Sequence, residues 1–379
     1  MSMFLTRRRF GAALAASAVL ATSLFMPVNQ ASASEEKAGA IYVQTNALAG
    51  NAIAIFRRNA DGTLNAGDIV STGGLGTGSG LGSQGAVLLS KNGRWLFAVN
   101  AGSNEISAFS VKGQTLKLAG KVSSGGVQPI SLSSYEDVLY VLNAGAAGNI
   151  TGFNVGREGE LTPLPGSTRP LSNNGVGAAP GPAQVQFSRE GEWLVVTEKG
   201  SNLLLVYPVD DDGIAGAPRT FPSAGTTPFG FAIDKRDHVL VSEAFGGAPN
   251  RSAMSSYDLE EGGLSVISPS VGTLQTAACW VVVTKNGKYA YTTNTGSSNI
   301  SGYRVGKDGR LTLLSADGIT GVTGGGPIDA DFSRNDQYLY TLNTRAHSIN
   351  VFRLGDNGEL WPVQELTAVP VTAVGLAAQ

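Results

Sequence analysis

At 379 residues, with 27 Lys+Arg against 29 Asp+Glu, the chain carries a formal net charge of -2 and no basic cluster beyond its first ten residues, which excludes nucleic acid as an electrostatic partner. A single cysteine, Cys279, excludes an intrachain disulfide; with only His238 and His347 beside it there is no His/Cys cluster for zinc, so neither a metal nor a cofactor is expected. Charged residues make up only 15% and glycines number 51, a balance that favours short strands joined by tight turns and predicts an all-β protein.

Residues 1–33 read as a targeting segment. Thr6-Arg7-Arg8-Arg9-Phe10 precedes an apolar run from Gly11 to Met26, and Ala31-Ser32-Ala33 follows. This is the layout of a twin-arginine export signal, and the run, ended by Pro27, is shorter than the ~20 residues needed to span a bilayer. The expected mature protein is periplasmic or secreted, free of the membrane, monomeric, and folded as one domain over residues 34–379.

From Ile41 onward one unit recurs. Trp95 to Asn100, a small-residue turn and Glu105 to Phe109 are echoed at Val138 to Asn143, Trp193 to Glu198, Tyr289 to Asn294 and Tyr338 to Asn343. Aligned on the last residue of the first apolar run, the copies fall at Asn46, Asn100, Asn143, Glu198, Glu243, Asn294 and Asn343. Each copy predicts four antiparallel strands, as at Gln184–Ser188, Trp193–Thr197, Leu203–Tyr207 and a weak fourth. Trp95, Phe97 and Val99 alternate with Leu96 and Ala98, so the second strand is apolar on both faces and each sheet must be covered on both sides. Radial stacking into a seven-bladed β-propeller satisfies this. The segment from Val371 to Ala378 is expected to supply the strand missing upstream of Ile41 and so close the ring.

The pattern Pro-x-x-x-x-Phe-Ser-x-(Asn/Asp/Glu)-Gly-x-(Tyr/Trp)-Leu-x-x-x-Asn, nearly whole at Pro327 to Asn343, and the steps Gly309-Arg310-Leu311 and Gly358-Glu359-Leu360 resemble the seven-bladed lactonase propellers, which include 6-phosphogluconolactonase and carboxymuconate cycloisomerase. The resemblance implies a ligand funnel and, in the fourth copy, a Gly-Pro-Arg-His segment followed by Glu. Here the segment reads Gly181-Pro182-Ala183-Gln184, followed by Glu198. The cation and the imidazole are replaced; the carboxylate stays.

Hairpin topology places the starts of first strands and the ends of second strands on one side of the disc. Gln128, Gln184, Glu198, Glu243, Asp329, Arg345 and His347 are therefore the candidate lining of a funnel that takes a small polar ligand or a partner segment. Gln84, Phe229 and Trp280 fall on the same side, and His238 on the other. Five of the seven aligned residues are Asn, as expected where a strand ends in a left-handed turn. Glu198 and Glu243 break that rule, either as solvated rim charges or as two carboxylates that raise one another's pKa. Two readings stay open: a recognition scaffold without catalysis, and a lactone hydrolase or cycloisomerase using Glu198. Gly80 to Gly85 reads as a flexible loop, His347 as a turn residue in the slot of Asn104, Asn202 and Asn299, Asp210-Asp211-Asp212-Gly213 as an exposed hairpin turn, and Cys279 as a small buried hydrophobe.

Overall fold

The computed structural model describes residues 38–379, so the proposed export signal lies outside the described residues. Seven antiparallel sheets follow one another around a ring. Blade 1 is built on Gly39–Gln44, blade 2 on Trp95–Asn100, blade 3 on Val138–Asn143, blade 4 on Trp193–Glu198, blade 5 on His238–Glu243, blade 6 on Tyr289–Asn294 and blade 7 on Tyr338–Asn343. These are the second strands, and the buried residues of each divide between the two neighbouring interfaces: Leu96 and Ala98 face blade 1, while Phe97 and Val99 join the core toward blade 3. The double-sided apolar pattern is thus what forces radial stacking.

Ring closure follows the expected course. Val374–Ala378 pairs antiparallel with Gly39–Gln44 and becomes the inner strand of blade 1. Two carboxylates clip it from the other side. Asp329 Oδ2 accepts the Leu376 N–H and Asp331 Oδ2 accepts the Ala378 N–H, the two contacts lying two residues apart on both strands. Burial pushes the Asp329 carboxyl well above the usual carboxylate range and the Asp331 carboxyl up to about 6.

A second repeated device locks neighbouring blades at the rim. The glycine in the hairpin between third and fourth strands lies flat on the first residue of the previous blade's second strand. Gly159 packs on Trp95, Gly213 on Val138, Gly262 on Trp193, Gly309 on His238, Gly358 on Tyr289 and Gly62 on Tyr338. All six have left-handed φ between 70° and 90°, and a Cβ at any of them would sit within 3 Å of the side chain beneath. Five of these six glycines open a Gly-x-Leu step of the sequence; Gly213 is followed by Ile214-Ala215.

Two details of the repeat differ from the expected ones. Blade 1's second strand ends at Gln44 rather than Asn46, so the equivalent ring of residues is Gln44, Asn100, Asn143, Glu198, Glu243, Asn294 and Asn343, with four asparagines. Nor do these asparagines sit in left-handed turns: they are enclosed, extended strand residues. Asn294 donates to Asn299 Oδ1 and Ser301 Oγ, and Asn343 to Ser348 Oγ and Asn350 Oδ1, tying second strand to third inside the blade. The left-handed slot comes just before the third strand, at Asn104, Asn202, Ser298 and His347, so the blade 6 counterpart is Ser298, not Asn299.

The two faces of the ring differ in charge. Turns between inner and second strands, and between third and fourth, carry most of the Lys, Arg, Asp and Glu: Lys91, Arg94, Arg189, Glu190, Asp234 to Asp237 and Lys307-Asp308 are examples. The opposite face, here the mouth face, is built from Gly, Ser, Thr, Ala and Asn. Among the described residues, its second-to-third-strand loops and the approaches to the inner strands contain the cations Lys199, Arg251 and Arg345 and no carboxylate; Asp317 lies further out, between Leu311–Leu313 and Gly321–Val322.

Candidate functional site

The site was expected where inner strands begin and second strands end, and the structure places its residues as follows. Gln184 lies on the inner strand Pro182–Phe187 of blade 4 and its amide is spent on the next blade. Nε2 donates to Phe231 O at 2.9 Å and Oε1 accepts Phe231 N–H at 2.6 Å, so the side chain extends the backbone ladder from blade 4 to blade 5. Ser131 and Ser133 do the same from blade 3 to blade 4, accepting the N–H groups of Val185 and Phe187. Asp329 and Asp331 do it from blade 7 to blade 1. Gln184 and Asp329 are therefore internal ties, and both also border the axial compartment on the charged-face side rather than the mouth face.

Glu198 and Glu243 are also enclosed rather than solvated at the rim, and each has its own set of donors. Glu198 accepts Ser172 N–H at 3.0 Å, Ser172 Oγ–H at 2.5 Å and Ser201 Oγ–H at 2.6 Å. Glu243 accepts Gly225 N–H at 2.8 Å, Ser270 Oγ–H at 2.6 Å and a close Ser255 hydroxyl. Both carboxylates hold the segment that arrives from the previous blade, the role that Asn143 fills by donating to Ser124 O. Burial raises the Glu243 pKa, opposed by the hydroxyls of Ser255 and Ser270; Glu198 takes no part in the shift. The expectation of two carboxylates raising one another is corrected: serines on flanking segments make a buried carboxylate tolerable in each of two blades.

The rim residues Gln128, Arg345 and His347 do lie on the mouth face. Gln128 has φ 55° and its N–H is held by Asn104 Oδ1. Arg345 bridges to blade 6, donating to Thr295 O and Ser298 Oγ. His347, at φ 48°, is the turn residue of its loop, with an enclosed, unpartnered Nδ1.

Gly80 to Gly85, expected to be a flexible loop, is pinned across the central channel. Gln84 N–H donates to Ala183 O of blade 4, while its side-chain amide pairs with both the N–H and the carbonyl of Val281 in blade 6. Gly230 makes room for this crossbar, since a Cβ there would lie 2.3 Å from Gln84 Oε1. The crossbar divides the axis of the ring into two compartments. One, of about 460 Å³, opens toward the charged face and is lined by Ser133, Gln186, Asp331, Lys285 and Asp336 among others. The other, of about 480 Å³, lies on the mouth face between Gly78–Ser83 and Val371–Gly375, over Trp280, Ile328 and Thr344.

Beside this second compartment stands Lys199, a residue the sequence reading passed over. It follows Glu198 directly, and its backbone N–H donates to Gly181 O. The ammonium donates to Gly82 O and lies 4.5 Å from the centre of the Phe229 ring, which in turn packs 5.2 Å from Trp280. Burial lowers its pKa to about 8, with no carboxylate opposing that shift. The neighbouring Cys279 thiol is buried and pushed up to about 11, a small enclosed hydrophobe as expected. Among the described residues no group of three or more His, Cys, Asp or Glu could hold a metal ion, and no helix is long and apolar enough to cross a membrane.

The sequence pattern described as Lactonase, 7-bladed beta-propeller matches residues 38–169 and 253–374, about two thirds of the chain. This chain belongs to the lactonase seven-bladed propeller family. The matched residues of this lactonase-family propeller leave out 170–252, the stretch that carries Ala183, Gln184, Glu198, Lys199 and Glu243. No curated protein sequence matches it. Among solved structures it is similar to a protein from Lactobacillus plantarum, with 18% identity over 90% of this chain and 99% of the other and a TM-score of 0.71. It is similar also to the periplasmic gluconolactonase PpgL of Pseudomonas aeruginosa, at 16% identity over 90% and 99% with a TM-score of 0.68. A Bacteroides fragilis protein, provisionally described as a 6-phosphogluconolactonase, is 19% identical over 89% and 97% with a TM-score of 0.66. At such identities these likenesses speak to the fold.

Proposed function

We propose that this lactonase-family propeller is an exported recognition protein that binds a small ligand at its mouth face and does not turn over lactones. One observation carries the reading. The side chains at the positions of the family's imidazole and carboxylate, Gln184 and Glu198, have every oxygen engaged in internal hydrogen bonds, and position 183 holds Ala. Lactone opening needs a base for water and a donor for the developing oxyanion. Both oxygens of Glu198 are occupied by protein donors where a base would have to receive water, and Gln184 has no basic atom. The place for a ligand is the mouth-face compartment between Gly78–Ser83 and Val371–Gly375, with Lys199 beside it through its bond to Gly82 and with Gln128, Arg345 and His347 on the same face. Export is supported by Thr6 to Phe10 and by the periplasmic setting of one structural relative.

The test is hydrolysis of 6-phosphogluconolactone by wild type beside Glu198→Gln. Rates at the uncatalysed background for both are expected. Turnover by wild type that Glu198→Gln abolishes would replace the recognition reading with an enzymatic one.

A further inference from the structure

We propose that the mouth-face compartment takes a small apolar carboxylate, with the anionic head on Lys199 and the apolar body against Leu81, Trp280 and Ile328. The inference rests on the reading of this compartment as a binding site and names its ligand class. Four observations lead to it. An ammonium has three donors, and that of Lys199 uses one on Gly82 O while meeting the face of Phe229; no carboxylate is paired with it. A half-buried cation without a counter-charge is costly unless an anion joins it.

The surrounding loops sharpen the sign of the partner. They contain the cations Lys199, Arg251 and Arg345 and no carboxylate, while Glu198 and Glu243 at the ends of their strands are each held by their own N–H and hydroxyl donors and leave Lys199 without an ion-pair partner. The walls define the rest of the molecule. The hydroxyls of Ser83, Thr344 and Thr372 are spent on the carbonyls of Ile130, Gly326 and Thr45, and that of Ser79 turns to Thr77 Oγ1. What remains is Leu81, Trp280, Ile328, Val371 and Val374, an aliphatic and aromatic lining. Trp280, a lining residue only 5% exposed, has an indole N–H without a partner, and Lys199 adjoins the same wall through its contacts with Gly82 and with Phe229, which packs on Trp280. One cation and one neutral donor suit a monoanion; a phosphate dianion would call for more charge than Lys199 alone supplies.

The probe is 2-naphthoate, titrated calorimetrically into the full-length purified protein, with 2-naphthalenemethanol as its neutral counterpart. Wild type should bind the acid, Lys199→Met should weaken it by about tenfold or more, and Lys199→Arg should retain it. The alcohol should bind wild type and Lys199→Met alike. Affinity of wild type for the acid should fall as pH rises through about 8, whereas that of Lys199→Arg should not. Equal affinity of the acid for wild type and Lys199→Met would overturn the carboxylate assignment while leaving a binding compartment in place. Failure of both probes to bind wild type would remove the compartment reading as well. Should Lys199→Met not fold by circular dichroism, the pH comparison between wild type and Lys199→Arg decides alone.

Discussion

Lys199→Met should make the protein more stable at neutral pH. Methionine keeps the unbranched stem that lies along Phe229 and removes the charge. The shift of the Lys199 pKa from 10.5 to about 8 corresponds to about 3 kcal/mol of unfavourable charge burial, at about 1.4 kcal/mol per pH unit. The side chain is only partly enclosed, so water carries some of that cost, and the cation's contact with the ring is lost on substitution; a net gain of about 1 to 2 kcal/mol is expected. The sign follows from proton counting. Between about pH 8 and 10.5 the unfolded chain binds more protons at this position than the folded one, so wild-type stability rises with pH across that window. Below 8 the penalty is fully present, and above 10.5 it is gone. Urea unfolding of wild type and Lys199→Met at pH 7, 9 and 10.5 should therefore show a gap that favours the variant and closes as pH rises. A variant less stable than wild type at pH 7, or a gap that ignores pH, would refute the account of Lys199 as a cation held without its counter-charge.

Three further outcomes follow from the fold. Gly262→Ala, where φ is 70° and a Cβ would lie 2.2 Å from the Trp193 ring, should lower stability by about 3 kcal/mol in urea, whereas Gly113→Ala, at φ 58° with open space around it, should cost only about 1 kcal/mol. Asp331→Ala strips Ala378 N–H of its acceptor on the closing strand and should cost about 1 to 3 kcal/mol. Because the Asp331 pKa is raised to about 6 in the folded protein, the share of that difference arising from its titration is fully present below about pH 4 and lost as pH rises through 6, which unfolding at pH 4 and pH 7 would reveal. Arg7→Lys combined with Arg8→Lys should leave unprocessed precursor inside the cell; undiminished mature protein outside it would remove the export assignment.

Much of the ring was legible because its cause is local. Trp95 to Val99 is apolar on both faces, and a strand so patterned has few homes other than between two sheets. The first copy was misplaced by two residues because its inner strand comes from the far end of the chain, so nothing beside Gln44 marks where the pairing stops. The candidate site was less legible, for a different reason. Sequence shows that Glu198 and Glu243 are charged but not that Ser172, Ser201, Ser255 and Ser270, each on another segment, converge on them. Lys199 beside a glutamate in a Gly-Ser turn looks like an ordinary solvated charge, and only the approach of Gly82 from blade 2 and Phe229 from blade 5 shows otherwise. The Gln in Gly-Ser-Gln-Gly was the available signal for the crossbar, since an amide amid glycines can serve as a pair of backbone groups.

The pairing of Val374–Ala378 with Gly39–Gln44 has a consequence for biogenesis. During synthesis the first blade waits, one strand short, until more than three hundred further residues have left the ribosome, and through all that time its edge is available to any other extended chain. A truncated product would keep that edge for good. If the protein is exported folded, as proposed, the last strand would act as a completeness check: only a chain carrying it could present a sealed ring to the translocation machinery.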